Sequence, residues 1–298
     1  MSTPKFGGNW TEEKLSRLRK YLHEYLKIFT SNERAQYFKT IYIDAFAGTG
    51  DRVQAESVDS ETSPLFPEYQ EVKELQQGSV KVALSLEKSF NQYLFIDQKL
   101  TYTQQLREQI DRSFPERASQ VTIQTGDANT LLQTWCHNTD WKKHRAVVFL
   151  DPYGMEVEWK TIEALARTKA IDVWIWFPLG QAVNRLLTRN QPPEGLWADK
   201  LTTFFGTREW ADAFYTKTGQ QSLFDDEPEQ IVKSATFDTI SQFFVARLDR
   251  VFTRVAPNPL PLTNSKNVPI YLLCFAAGNP KGASTAVRIA QHILKPSA

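Results

Sequence analysis

Ile41-Tyr42-Ile43-Asp44-Ala45-Phe46-Ala47-Gly48-Thr49-Gly50 is the stretch that decides the fold. An apolar strand, Ile41 to Ile43, runs into an acid, Asp44, and a turn of small residues follows at once. Side chains that small let a ligand lie against the backbone, and glycine supplies dihedrals that other residues resist. A strand ending in such a turn is how doubly wound α/β folds hold nucleotide-like ligands.

Outward from this turn, strand and helix signals alternate. Tyr93–Asp97 reads as a second strand ending in an acid. Val121–Gln124 is a third, followed by Gly126-Asp127-Ala128. Ala146–Asp151 is a fourth, and Asp172–Phe177 a fifth, stopped by Pro178. These strands are apolar throughout rather than alternating, the pattern of strands buried on both faces. Helical spacing at 72–86, 101–114, 131–135 and 159–169 supplies the covering layers.

The flanks are less regular. Leu15, Leu18, Leu22, Tyr25, Leu26 and Phe29 mark an amphipathic helix over 10–29, with Asn9 and Glu12 as a capping pair. Arg17, Lys20, His23 and Lys27 lie off that stripe, as a solvated face or a nucleic-acid surface. Residues 51–70 read as a long polar loop. At 190–235, Trp197, Phe204, Phe205, Trp210, Phe214 and Tyr215 suggest a helical insertion with its own small core, trailed by an acidic run, 225–229. A long helix carries Ile240, Phe244, Leu248, Val251 and Val255, and 284–295 closes the chain as another. Pro257, Pro259 and Pro261 alternate before a strand-like Val268–Ala277. Prolines at alternate positions remove N–H donors from one side only, so 254–263 is either an edge strand paired to 268–277 or an unpaired polyproline stretch.

Composition narrows the class. Across 298 residues, 41% apolar and 23% charged is ordinary globular usage. A net charge of +1 excludes polyanion binding by bulk charge, though not a local basic patch. Cys136 and Cys274 lack metal-ligand spacing and argue for a reducing compartment, with no metal expected. Met1 to Gly8 lacks an apolar leader core, and no stretch is apolar enough to span a bilayer. The expectation is a cytoplasmic enzyme or adaptor away from the membrane.

Three ligands compete for the glycine turn. A phosphate loop needs Lys-Ser/Thr after its glycines, whereas Asp51-Arg52 stands here. A dinucleotide turn needs a third glycine, which is absent, and an acid about 20 residues on, whereas the next strand-end acid is Asp97. S-adenosylmethionine explains more residues. Asp44 would accept from its ammonium, directly or through water, and Asp97 from its ribose hydroxyls. Asp127 and the Ala128 N–H would take the adenine edge, and Asp151 would face the methyl donor. Phe46, Ala47, Gly48, Gly50 and Gln98 complete this cofactor-binding set.

Asp151-Pro152-Tyr153-Gly154 carries the chemistry, unless it merely ends a strand. Methyl transfer from a sulfonium is an in-line displacement that needs an aimed lone pair. Hydrogen bonds from a base amine to Asp151 and to the Pro152 carbonyl would pull that amine out of the ring plane. Tyr153 would stack on the ring.

The chain resembles the three-Cys-motif partner proteins, a bacterial methyltransferase-like family. Matching segments are Trp10–Leu15, the strand and turn 41–50, Gly78-Ser79 with Ala83-Leu84, and Phe149–Gly154. Thr168–Asp172, Trp176–Gly180, Asn184–Leu187, Phe205-Gly206 with Trp210, and Gly278–Pro280 also match. The resemblance implies a methyltransferase-like fold and association with a partner that carries the three-cysteine motif, similar to radical-SAM proteins. Asp-Pro-Tyr-Gly also looks like the amine-orienting motif of methyltransferases acting on nucleic-acid bases. It is closer to the Asp-Pro-Phe-Gly form of tRNA guanine-N2 enzymes than to Asp-Pro-Pro-Tyr, whose second proline it lacks. In the matching N-terminal segment, Lys14 would pair with the ligand's carboxylate and Trp10 close over it, or the helix simply packs on the sheet.

The expected architecture is therefore an α/β, doubly wound, Rossmann-like methyltransferase fold over 1–298. It has a central, mostly parallel seven-stranded sheet with a C-terminal antiparallel hairpin. Residues 1–36 form a helical extension and 190–235 a helical insertion. The expected activity is S-adenosylmethionine-dependent methylation of a base amine, releasing S-adenosylhomocysteine. The competing classes are a non-catalytic S-adenosylmethionine-binding adaptor and a nucleotide-dependent oxidoreductase.

Overall fold

The computed structural model describes residues 10–48, 78–218, 230–264 and 266–296, with side chains from Lys14 onward. The expected loop at 51–70, Thr49, Gly50, the first part of the helix expected at 72–86, the Trp10 side chain and the acidic run 225–229 lie outside the described residues.

Five parallel strands build the centre: β1 (Lys39–Asp44), β2 (Gln92–Asp97), β3 (Val121–Thr125), β4 (His144–Leu150) and β5 (Ile171–Phe177). A separate hairpin joins β6 (Tyr215–Thr218) to β7 (Gln230–Lys233). Then come β8 (Arg254–Val255), β9 (Leu260–Thr263) and β10 (Pro269–Ala277), the last antiparallel to β5. The main sheet runs β3-β2-β1-β4-β5-β10, with β8 and β9 both paired to β10. The doubly wound class expected from the sequence is the one observed.

The helices are α1 (Trp10–Ser31), α2 (Glu33–Gln36), α3 (described over 78–84), α4 (Leu100–Ser113), α5 (Ala128–Asn138) and α6 (Trp159–Arg167). A π-turn at Leu179–Val183 leads into α7 (Asn184–Leu186). α8 (Gly195–Phe205), α9 (Glu209–Phe214), α10 (Phe237–Asp249) and α11 (Ala283–Ile293) follow. Among the described residues no helix is long and apolar enough to cross a membrane.

The period of two along each strand divides the core. Tyr42, Tyr93, Phe95, Phe149, Trp174 and Trp176 point to one face, under α1, α3, α4 and α11. Ile43, Leu94, Ile96, Val148, Leu150 and Ile175 point to the other, under α5, α6, α8, α9 and α10. The first face is aromatic, and α1 answers with aromatics of its own. The Tyr21 ring lies 5.2 Å from Trp174 and 4.9 Å from Phe275, centre to centre. Arg17, two positions beyond the Leu15 side of this helix, donates to the carbonyls of Ile293 and Lys295. It thereby satisfies acceptors that the end of α11 leaves without helical partners.

Two expectations change. Among the described residues of 190–235, Phe204, Phe205, Trp210 and Phe214 join the second face of the main sheet rather than a core of their own. Aromatic side chains needed that apolar surface more than they needed each other, and Phe244 stacks 4.2 Å from Phe177 beside them. The segment is also not purely helical, because Tyr215-Thr-Lys-Thr218 pairs as a strand. The proline-rich stretch is an edge, as the first of its two readings had it, but a broken one. Pro257 and Pro259 fall between β8 and β9, and Pro261 stands opposite Leu272. Counting the two pieces separately makes the main sheet eight-stranded rather than seven.

Gly206 closes α8 at φ 69°, and a Cβ there would collide with the Trp159 ring. Left-handed backbone and overpacking act together, so Gly206→Ala is expected to destabilise the fold by about 2–4 kcal/mol. Urea denaturation with an unchanged m-value is the check.

Candidate functional site

The chain winds from β1 to β2 and β3 in one direction, and from β4 to β5 in the other. The order reverses between β1 and β4, and open α/β sheets bind ligands beyond the strand ends at such a point. Asp44 ends β1 in register with Phe95 and Phe149. Asp97 and Asp151 therefore stand two residues further along the two flanking chains. The three acids line the switch point.

Asp44 is wholly buried. Its carboxylate accepts the Ser79 hydroxyl at 2.5 Å and the Phe46 N–H at 3.2 Å. Burial pushes its pKa up to about 7, against the Ser79 bond, with the Asp151 charge adding to the rise. These bonds make Asp44 the anchor of the turn; it does not present itself to solvent. Gly48 follows at φ 61°, a left-handed conformation that suits glycine. Its N–H donates to Asp97 Oδ2 at 3.1 Å, and the Lys99 N–H donates to Oδ1 at 2.8 Å. Each carboxylate oxygen has two acceptor sites, so each keeps capacity for one more donor. Burial raises the Asp97 carboxyl, opposed by those two N–H groups and by the Lys99 charge. Ala45 and Ala47 are buried, Phe46 packs half-buried against the second core, and Gln98 is exposed.

Asp127 is exposed and caps α5. Its Oδ1 takes both the Thr130 N–H at 2.8 Å and the Thr130 hydroxyl at 2.9 Å. Ala128 is the first residue of that helix, where backbone N–H groups lack helical acceptors.

Asp151 has a partner within the chain. Lys14 Nζ donates to its Oδ2 at 2.6 Å, and the two side chains are 2% and 5% exposed. The ammonium also sits 4.0 Å above the centre of the Trp176 ring and 5.4 Å from that of Phe149. A carboxylate and two aromatic faces thus enclose one cation. Burial lowers the lysine and raises the aspartate, while their mutual attraction opposes both shifts. Lys14, expected beside a ligand's carboxylate, is instead paired with a carboxylate of the chain. Pro152 is buried next to it. Tyr153 is half-buried against the aromatic core, and its N–H donates to Glu156 Oε2 at 3.1 Å.

Ser79 and Trp176 complete this site and were not singled out by strand-end logic. Both lie in segments that carry the resemblance drawn from the sequence. A third buried acid, Asp172, lies on the same face at the other end of the strands. It accepts the Tyr21 hydroxyl at 2.8 Å, and burial pushes it up to about 7, with the Tyr21 bond and the Arg145 charge opposing.

No protein-family model and no curated protein matches this chain. Solved structures of similar shape include protein LPL1258 from Legionella pneumophila, at 13% identity and a TM-score of 0.48. That match covers 93% of this chain and 90% of the other. The complex of Trm1 from Pyrococcus horikoshii with S-adenosyl-L-methionine is similar at 11% identity and a TM-score of 0.45. This chain spans 59% of Trm1, with 95% of its own length covered. An S-adenosylmethionine-dependent methyltransferase from Clostridium acetobutylicum is similar at 8% identity and a TM-score of 0.35, over 88% of this chain and 92% of that one.

Proposed function

We propose that this chain methylates an exocyclic amine of a nucleic-acid base, with S-adenosylmethionine as donor. The observation that carries this reading is the pairing of a glycine turn after β1 with a buried carboxylate after β4, across the point where strand order reverses. The residues present fit the cofactor. Gly48 in left-handed backbone, the small Ala47, the spare acceptor capacity of Asp97 and the first N–H groups of α5 at Ala128 would hold it, with Asp127 at the adenine edge. When bound, it supplies an electrophilic methyl group.

The chain's own part is orientation and charge. Asp151 accepts the N–H of the target amine and fixes its direction. Pro152 has no N–H, so nothing at that position competes as a donor for the carboxylate. Tyr153 offers its ring to the base. Burial raises the Asp151 carboxyl, and the Lys14 ammonium opposes that rise through its charge and its hydrogen bond.

One observation favours a second reading. Asp151 Oδ2 is already held by Lys14 with both side chains buried, as suits an adaptor that binds the cofactor and serves a three-cysteine-motif partner without transferring the methyl group. Tritiated S-adenosylmethionine with bacterial RNA or DNA separates the two, with and without the partner. Wild type should incorporate label, and Asp151→Asn should reduce it by about a hundredfold or more through lost alignment. Calorimetry with S-adenosylhomocysteine should show binding to both proteins. Label that survives the substitution would remove Asp151 from the chemistry, and absence of binding would remove the cofactor.

A further inference from the structure

Beyond β5 the chain stays at the same edge of the sheet as Asp151. β10 runs antiparallel to β5, so Phe177 pairs with Leu272, and the start of β10 at Pro269 closes on the backbone of Gly180 in the π-turn. α7 follows, and then residues 188–194 and Trp197 line a shallow cleft of about 480 Å³ that includes Arg189, Gln191, Pro192 and Glu194.

Two features of this cleft are out of keeping with a plain surface. Trp197 is 51% exposed and its neighbour Leu196 is 84% exposed. Every other described tryptophan side chain is buried or half-buried. The second feature is charge. Lys233 reaches Asn184 Oδ1 at 2.6 Å, and its ammonium is lowered first by burial and then by the like charge of Arg189. Arg189 is exposed and makes no ion pair among the described residues. Arg189 and the exposed indole thus line one cleft, with Glu194 as its carboxylate.

We propose that this cleft docks a single-stranded nucleic acid, Trp197 stacking on a base and Arg189 pairing with a neighbouring phosphate. An aromatic face with an adjacent cation is how unpaired strands are held without sequence readout, because every base has a π-face and every link a negative charge. Duplexes keep those faces inside the stack. The choice of occupant rests on the base-methylation reading, whereas the surface itself rests on the exposed indole and the exposed Arg189 guanidinium in one cleft.

The test is anisotropy with a short labelled single-stranded RNA and its duplex form, at two salt concentrations, alongside tryptophan emission. The single strand should bind more tightly than the duplex and quench emission. Trp197→Ala should weaken binding about tenfold or more and abolish the quench, and Trp197→Phe should keep most of the affinity. Arg189→Ala should weaken binding and flatten its salt dependence by about one phosphate contact. Variants that bind like wild type, or equal binding of duplex and single strand, would overturn the assignment. So would failure of wild type to bind any oligonucleotide, which would leave the indole to a protein partner. Methylation with unchanged KM in Arg189→Ala/Trp197→Ala would sink the cleft and leave the base-methylation reading intact. Binding as expected with no methyl incorporation would do the reverse.

Discussion

Lys14→Met is expected to destabilise the fold by about 3–5 kcal/mol, because it leaves the buried Asp151 carboxylate without its cation. Methionine keeps the apolar stem against Phe149 and Trp176, so packing is nearly conserved and the loss reports the charge. Asp151→Asn alone should also cost several kcal/mol, since it strands a buried ammonium. The double variant should recover much of the combined loss, because neither charge then remains to be solvated. The penalty in Lys14→Met should also depend on pH. Burial already holds Asp151 above its ordinary range, and removing Lys14 raises it further. A carboxyl with a raised folded pKa contributes stability at low pH and loses it as pH rises. The variant should therefore look nearest to wild type in acid and worst above neutrality. Urea titrations of the four proteins at acid and alkaline pH decide the matter. Single variants within half a kcal/mol of wild type would mean that water reaches the pair.

Asp172 gives the second large effect. Its carboxyl, normally near 4, stands at about 7 in the folded chain, with burial as the main cause. Between those values the unfolded chain has lost a proton that the native chain keeps, so stability falls as pH rises through the window. Three units correspond to roughly 4 kcal/mol. Asp172→Asn leaves the Tyr21 hydroxyl an acceptor and removes the titration. It should match wild type near pH 4 and exceed it by up to roughly 4 kcal/mol at pH 8. Asp44, also near 7, keeps the variant's profile from becoming flat. A wild-type stability that climbs from pH 5 to pH 8 would contradict the placement of both acids.

The central sheet was legible because its strands are continuous apolar runs, and a run such as Ala146 to Leu150 has few other ways to bury itself. The four strand-end acids were legible for the same reason, since the sheet carries them all to one edge. What they do there was not. Asp44 turned inward to Ser79 and Phe46, and Asp97 to Gly48 and Lys99, because local donors sit closer than any ligand could. Lys14 found Asp151 across 137 positions of sequence, a pairing set by how α1 crosses the sheet and by nothing in the neighbouring residues. The β6–β7 hairpin was missed because the aromatics before it fit a helical period, although the β-branched alternation of Tyr215-Thr-Lys-Thr218 was there to be read. In the sequence Asp172 stands as the first residue of an expected strand. Only the arrival of Tyr21 from α1 shows that it lies inside.

The grip of Arg17 on the carbonyls of Ile293 and Lys295 has a consequence for how the molecule comes into being. During synthesis α1 emerges early, yet its anchors at 151, 172 and 293 follow one after another, the last some 276 residues later. The tyrosines of that helix meet Phe90, Asp172 and Trp174 earlier in the chain, whereas Arg17 waits for the end of α11. Ring closure between the first and last helices is a contact of very long range and forms late. Lys14 precedes Asp151 by 137 positions, so a growing chain carries the glycine turn well before it has the carboxylate across the switch point.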